Sequence, residues 1–385
     1  MPARRRLMLV ALLALALVSS AGAGRAVPVG VYGNVARFDR LTGQHTDSGL
    51  AFIGWDQGRT WGKPYEYFLD TLGARPHIVL KTERSGGTIS TQAIALGRGE
   101  AHLIGLAQAI SDSEKPVLLR PLGEMNNTLN PYCACRRDAA NSTKWFRRAF
   151  QRIYIVMHGG SAAAMSARLR ALGMPGVSED VPSNPYPKVT VVWNPLAVGE
   201  PPVRGNGFRD YFPGGRFFDV YGNDYYNFGT YAFVRTTDLY KAYPSKPFVV
   251  PEWGLAVDDP GFIRAFAGFV KSHRRITFIG FYNGKNGGRL DLARKPGSLA
   301  AYKRYIVPLT REVCARHTCR YPSDIPAGML RTYPRSPTST RSSTRIPSSP
   351  RTSSTGMTRS RSCSPRPSAA TSSVSMRPES TARRA

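Results

Sequence analysis

Histidine is scarce in this chain, with six among 385 residues. None lies at ligand spacing from the Cys133-Ala134-Cys135 triplet, so a metal site is not expected there, and the sequence points to no other cofactor. Cysteine is also sparse, at five residues. Cys314 and Cys319 are spaced to close a small loop, Cys133 and Cys135 sit close together, and Cys363 is left over. Spacing alone does not decide the pairing. After the first 18 residues no apolar run is long enough to span a bilayer. A glycine-rich phosphate loop after an early strand is missing too, since Val31 to Phe38 reads VYGNVARF. That argues against an open, doubly wound nucleotide-binding sheet.

Acidic residues are few, 25 against 53 basic, for a formal net charge of +28. Such an excess invites a nucleic-acid reading, but its distribution does not favour one. From Arg331 onward there are 11 Arg, no Lys and a single acid, Glu379. Arg4, Arg5, Arg6 and Arg25 belong to the opening segment. The rest is spread along the body without an extended basic block, so no nucleic-acid partner is expected. A basic body still favours adhesion to anionic polymers.

The opening segment has a basic start, an apolar run from Leu7 to Val18 and the small residues Ala21-Gly22-Ala23. It reads as a secretory signal peptide over 1–26, and predicts a secreted protein with no membrane span once mature. Beyond about Met329 the composition collapses to Ser, Thr, Arg and Pro. Such a segment lacks the apolar surface that offsets ordering entropy, so 329–385 is expected to be disordered. One domain remains, 27–328.

Within that domain the most informative stretch is Pro116 to Asn126, PVLLRPLGEMN. It begins as an apolar strand and ends on Glu124. Strict alternation would put Leu118, Arg120, Leu122 and Glu124 on one face. Pro247 to Gly254, PFVVPEWG, has the same form and ends on Glu252. A buried strand that ends on an unpaired charge needs a reason. Two glutamates at the mouths of two strands suit glycoside hydrolysis, in which one carboxylic acid protonates the leaving oxygen and a second carboxylate attacks the anomeric carbon, about 5–5.5 Å apart in retaining enzymes.

Further strand patterns fall at 27–34, 50–57, 76–83, 188–195, 216–227 and 276–284. Helical patterns lie between most of them, including 64–73, a glycine-interrupted 94–110, one capped by Ser142 or Thr143, and a closing one at 299–307. Eight strands alternating with helices predict a single-domain (β/α)8 TIM barrel, with the disordered tail outside it. Active sites of such barrels lie at the C-terminal ends of the strands, where Glu124 and Glu252 fall on strands four and seven. Arg120, four residues before Glu124, either supports an ionised nucleophile or forms an ion pair inside the barrel. Trp55, Trp61, Trp193, Trp253 and Tyr282 either stack on sugar rings or fill the core. Trp193 and Trp253 adjoin strand ends, which favours the site for those two.

Taken together these stretches resemble glycoside hydrolase family 26, over about Val29 to Leu309. LLRPLGEMN is similar to the family's Arg-Pro-x-His-Glu-Met-Asn stretch, and PFVVPEWG to its nucleophile strand. The resemblance implies that Glu124 is the acid/base and Glu252 the nucleophile of a retaining enzyme. YFPGGRFFDVYGNDYYN resembles a further segment, which implies that Tyr226 donates to the nucleophile with Asp224 beside it. Trp193 matches the strand-five Trp motif, and FIGWDQGRTW the second-strand segment. The chain departs from the family at Gly123, where the family has His, at Tyr282 in place of a Trp, and at Lys81 in place of a carboxylate. The resemblance implies an endo-β-1,4-mannanase acting as a monomer on polysaccharide. A β-glucanase or β-xylanase is the alternative on the same scaffold. A non-catalytic carbohydrate-binding barrel is the alternative of another class. It is disfavoured because a pure binder gains nothing from two close carboxylates that repel each other.

Overall fold

The protein, described as a computed structural model, is resolved for description over residues 27–229 and 237–310, all within the compact unit Met1–Asp324. The expected signal peptide, the tail, and Cys314, Cys319 and Cys363 lie outside the described residues.

Eight parallel strands close on themselves. They are β1 (Val29–Tyr32), β2 (Ser48–Ile53), β3 (His77–Leu80), β4 (Val117–Pro121), β5 (Val189–Trp193), β6 (Val220–Gly222), β7 (Phe248–Leu255) and β8 (Ile276–Tyr282). Each pairs with the next, and β8 returns to β1 through Val29↔Ile279 to Tyr32↔Tyr282. The fold is a (β/α)8 barrel. The stretch 216–227, expected as one strand, is two: β6, then Tyr225–Asn227, which pairs with the outer end of β7.

Helices surround the barrel as amphipathic faces require. They include α1 (Val35–Thr42), α2 (Tyr65–Thr71), α3 (Thr91–Ala95), α4 (Glu100–Asp112) and α5 (Thr143–His158). Gly97 and Gly99 take left-handed φ of 85° and 71°, which separates α3 from α4. Ser142 caps α5, its hydroxyl accepting from Trp145 N at 3.4 Å. Arg152 of α5 is fully buried. It pairs with Glu100 and donates to the carbonyls of Pro175 and Gly176. These partners are what a buried guanidinium needs.

Inside the barrel, the floor is a layer of Leu118, Val192, Val220, Val249 and Phe278, separate from the larger core under the helices. Gly30 leaves room for Phe278, whose ring would lie 2.5 Å from a Cβ at that position. His77 is also fully buried, edge-on to Phe278 at 5.6 Å between centroids. Burial, and then the charge of Arg120, pull its pKa well down, so it stays neutral. Among the described residues no helix is long and apolar enough to cross a membrane.

Candidate active site

Above the floor a cleft of about 570 Å³ opens at the C-terminal ends of the strands. Arg120 rises into it from β4, almost fully buried at 3% exposure. Its Nη2 lies 2.6 Å from Glu252 Oε1, and its Nη1 lies 3.4 Å from Asp224 Oδ2. Tyr226 donates its hydroxyl to Glu252 Oε2 at 2.6 Å. Glu252 therefore has the Arg120 cation beside one oxygen and the Tyr226 hydroxyl on the other. Asp224 braces this group. It accepts from the Glu252 backbone N–H at 2.9 Å and from Asn194 Nδ2 at 3.1 Å. Glu124, Glu252, Asp224, Tyr226 and Tyr282 all line the one cleft.

Glu124 does not reach the cleft by strand alternation. Strand β4 stops at Pro121, and Leu122 and Glu124 take left-handed φ of 51° and 49°. Such a conformation costs a non-glycine residue on the order of 1 kcal/mol. It turns Leu122 away from Arg120 and into the outer core, while Glu124 faces the cleft. Neighbours hold this turn. Glu124 N donates to Asn194 O at 2.7 Å, Tyr132 donates to Gly123 O at 2.7 Å, and Asn130 donates to Glu124 O at 2.9 Å. Asn127 Nδ2 donates to Glu124 Oε2 at 3.1 Å. The following loop carries the Cys133–Cys135 disulfide, so these two cysteines pair with each other.

Glu252 reaches the interior through a β-bulge. Val250 pairs with Ile279 and Trp253 with Phe281, three steps on β7 against two on β8. One extra residue reverses the phase. With Val249 facing inward, unbroken alternation would have turned Trp253 inward and Glu252 outward. The bulge exchanges them.

That exchange corrects one expectation. Trp253 is not a sugar platform; it is fully buried and stacks on Phe266 at 3.9 Å. Trp193 is likewise buried, among Phe212, Phe218 and Tyr243 at 5.5–5.7 Å. It ends β5 on the outward phase, while Val192 takes the inward one. Trp55 is also buried, and the more exposed Trp61 donates to its carbonyl; neither lines the cleft. Tyr282 does line it, against Tyr32 at 4.4 Å. Sequence reasoning missed two aromatics that line the cleft, Phe52 and the more exposed Phe228. Phe52 lies 6.4 Å from Tyr282 between ring centroids. Phe228 stands out: it is 53% exposed and lies along Tyr226 at 5.3 Å and 22°. Asn127 and Asn194 were missed as well, although each adjoins a residue that the motifs brought out.

At Gly123, where the resembled family has His, the missing side chain leaves no free space: a Cβ there would collide with Arg120 Nε and lie 3.0 Å from its Cζ and Nη2. Gly123→Ala should therefore displace the guanidinium and lower stability by about 1–3 kcal/mol. Activity should fall on every substrate, as read by thermal melts and kcat/KM on two polymers. A change confined to substrate preference would contradict this reading.

Burial, and then the nearby charge of Glu252, push the Glu124 pKa up. Burial likewise raises Asp224 well above the ordinary carboxylate range, against the pull of Arg120. Burial opposes the Arg120 cation, but Asp224, Glu252 and Glu124 more than offset it and raise its pKa. Among the described residues no group of three or more His, Cys, Asp or Glu is arranged to hold a metal.

A barrel with a guanidinium-bridged Asp–Glu pair and a second, acid-like glutamate at its C-terminal mouth is the class of site that fold and geometry define. No family model matches the chain. Among curated proteins it is similar to Endoglucanase H of Acetivibrio thermocellus, 21% identical over 287 residues. That match covers 71% of this chain, and the chain spans only 29% of the length of that relative. Among solved structures it is similar to the YdhT protein from Bacillus subtilis, with 17% identity and a TM-score of 0.47 over 74% of this chain and 87% of that one. It is also similar to a GH26 β-mannanase from Bacteroides ovatus, with 13% identity and a TM-score of 0.48 over 74% and 90%. A double mutant of the Cellulomonas fimi endo-β-1,4-mannanase gives 14% and 0.48 over 73% and 70%.

Proposed function

We propose that the protein is a glycoside hydrolase of the family 26 type, cleaving β-linked polysaccharide with retention. The observation that carries this is the contrast between the two glutamates of one cleft. Glu252 is served by Arg120 and Tyr226, which stabilise a carboxylate, whereas Glu124 is buried and pushed toward its neutral form. Paired carboxyls with opposed environments are what double displacement needs. Glu252 attacks the anomeric carbon. The glycosidic C–O bond breaks, its electron pair goes to the leaving oxygen, and that oxygen takes the proton of Glu124. Glu124, now a base, takes a proton from water as the water oxygen attacks and the bond to Glu252 breaks.

The substrate reading is β-1,4-mannan cleaved internally, supported by the mannanases among the similar structures. A second reading is β-glucan, because the curated relative bears the name endoglucanase. The opening segment of the sequence supports export, and one chain supplies every residue of the site, so the reading is of an exported enzyme that acts as a monomer. A screen of mannan, glucomannan, lichenan, cellulose and xylan for released reducing ends tests the activity. Proton NMR of the first-formed anomer tests retention. Release from none of the five polymers would set the proposal aside.

The raised Glu124 pKa has a consequence for pH. The acid must carry its proton, so kcat/KM should fall as pH rises through the raised value, placing the alkaline limb above the ordinary glutamate value of about 4.3. In Glu124→Gln that limb should disappear. A wild-type limb at the ordinary value would argue against Glu124 as the acid.

A further inference from the structure

Lys81 follows β3 and continues the inward phase of His77 and Val79, so it stands in the cleft beside the catalytic carboxyls. Its Nζ donates to Asn130 Oδ1, lies 3.4 Å from the Tyr132 hydroxyl and sits 5.3 Å from the centre of that ring. Asn130 and Tyr132 are the residues that hold the Glu124 turn, so the ammonium is fixed in the frame of the site. Among the described residues no carboxylate forms an ion pair with it. Burial pulls its pKa down, Arg120 adds to that pull, and Glu83, Glu124 and Glu252 act against it from beyond ion-pair distance.

A partly buried ammonium with two neutral acceptors and no carboxylate in direct contact is an incomplete arrangement. An ammonium has three donors, and removing it from water carries a cost that an anion would offset. The Glu252 carboxylate is engaged by Arg120 and Tyr226 and Glu124 by Asn127, and neither of them nor Glu83 comes within ion-pair distance of Lys81, so direct pairing is open to a carboxylate that arrives with the ligand. On the rim above, Arg289 lies over the Phe228 ring at 5.6 Å and adds a second cation.

We infer that Lys81 is a specificity-determining residue that receives a carboxylate carried by the sugar chain, so that the substrate class is a β-linked polysaccharide bearing uronic acid units or acidic substituents. This rests on the hydrolase reading above. The chemistry is that of a charged hydrogen bond from an ammonium to a carboxylate, whose loss typically costs about tenfold or more in affinity at a partly buried site.

The test uses a matched pair of substrates. The best neutral polymer of the screen is compared with the same polymer after partial oxidation of its primary alcohols to carboxylates. In the wild-type protein kcat/KM on the oxidised polymer should exceed that on its parent, by roughly five- to tenfold at low salt. Lys81→Met, which keeps the length of the side chain, should bring the ratio to one or below. Lys81→Arg should retain most of it. Changing one charge among 53 basic residues leaves long-range attraction nearly unaltered, so a lost preference would be local to the cleft. An unchanged ratio in Lys81→Met, or equal loss on both polymers, would overturn the inference. If no polymer is cleaved, the hydrolase reading fails separately. Affinity electrophoresis in gels containing each polymer then decides on Lys81: retardation by the oxidised polymer that Lys81→Met abolishes supports the inference, and retardation indifferent to Lys81 refutes it.

Discussion

Glu252→Ala should lose at least about 10⁴-fold in turnover, equally for good and poor leaving groups, because without a nucleophile no covalent intermediate forms. Glu124→Ala should behave differently. With an aryl glycoside whose leaving group needs little protonation, the first step survives and the reaction stalls at the glycosyl-enzyme. Azide should restart it without help from a base and give the β-glycosyl azide. In Glu252→Ala azide can enter only from the face that the nucleophile left vacant, and gives the opposite anomer. Proton NMR of the products separates the two. Glu252 is well supported by its neighbours, with Arg120 at 2.6 Å and Tyr226 at 2.6 Å. Its removal leaves those donors aimed at empty space. The same anomer from both variants, or near-normal turnover of Glu252→Ala, would show that the two roles are misassigned.

The barrel was legible because its strands are short, apolar and separated by helical patterns. The inward position of Arg120 was also legible, since it shares a phase with Leu118 within an unbroken strand. What failed was phase wherever the strand was interrupted or uniform. Strand β5 is apolar on both faces, VTVVW, so its period-2 pattern carries no information about which way Trp193 points. In β7 the bulge between Val250 and Trp253 depends on pairing with β8, a tertiary contact that no local pattern announces. The left-handed turn at Leu122 and Glu124 is held by Asn130, Tyr132 and Asn194, two of them downstream in the next loop and the third beyond the following strand. Neither residue is glycine, so turn propensity could not reveal it. Motif order survived these errors because a motif records which residues meet without specifying how the backbone brings them there.

The removal of Arg120 should be the largest single effect on stability. Among the described residues its guanidinium is the one cation in direct contact with both Asp224 and Glu252, and it sits within the field of Glu124. Arg120→Met preserves apolar bulk and leaves buried carboxyls without their counter-ion, a change that costs about 3–5 kcal/mol. Activity should fall at least about a hundredfold, since Glu252 loses the cation that faces it. The stability loss should depend on pH, with a definite sign. Without the cation, the folded-state pKa values of Asp224 and Glu124 rise further above their unfolded values near 4. The folded protein then binds more protons than the unfolded chain, and stability declines as pH climbs from about 4 through the raised values. Melting temperatures of wild type and variant should lie close together near pH 4 and diverge toward pH 7. Adding Asp224→Asn removes one of the orphaned charges and should recover part of the difference at pH 7, with little effect at pH 4. A pH-independent gap would mean that Arg120 contributes by packing, and a variant as stable as wild type at pH 7 would mean that the carboxyls do not depend on it.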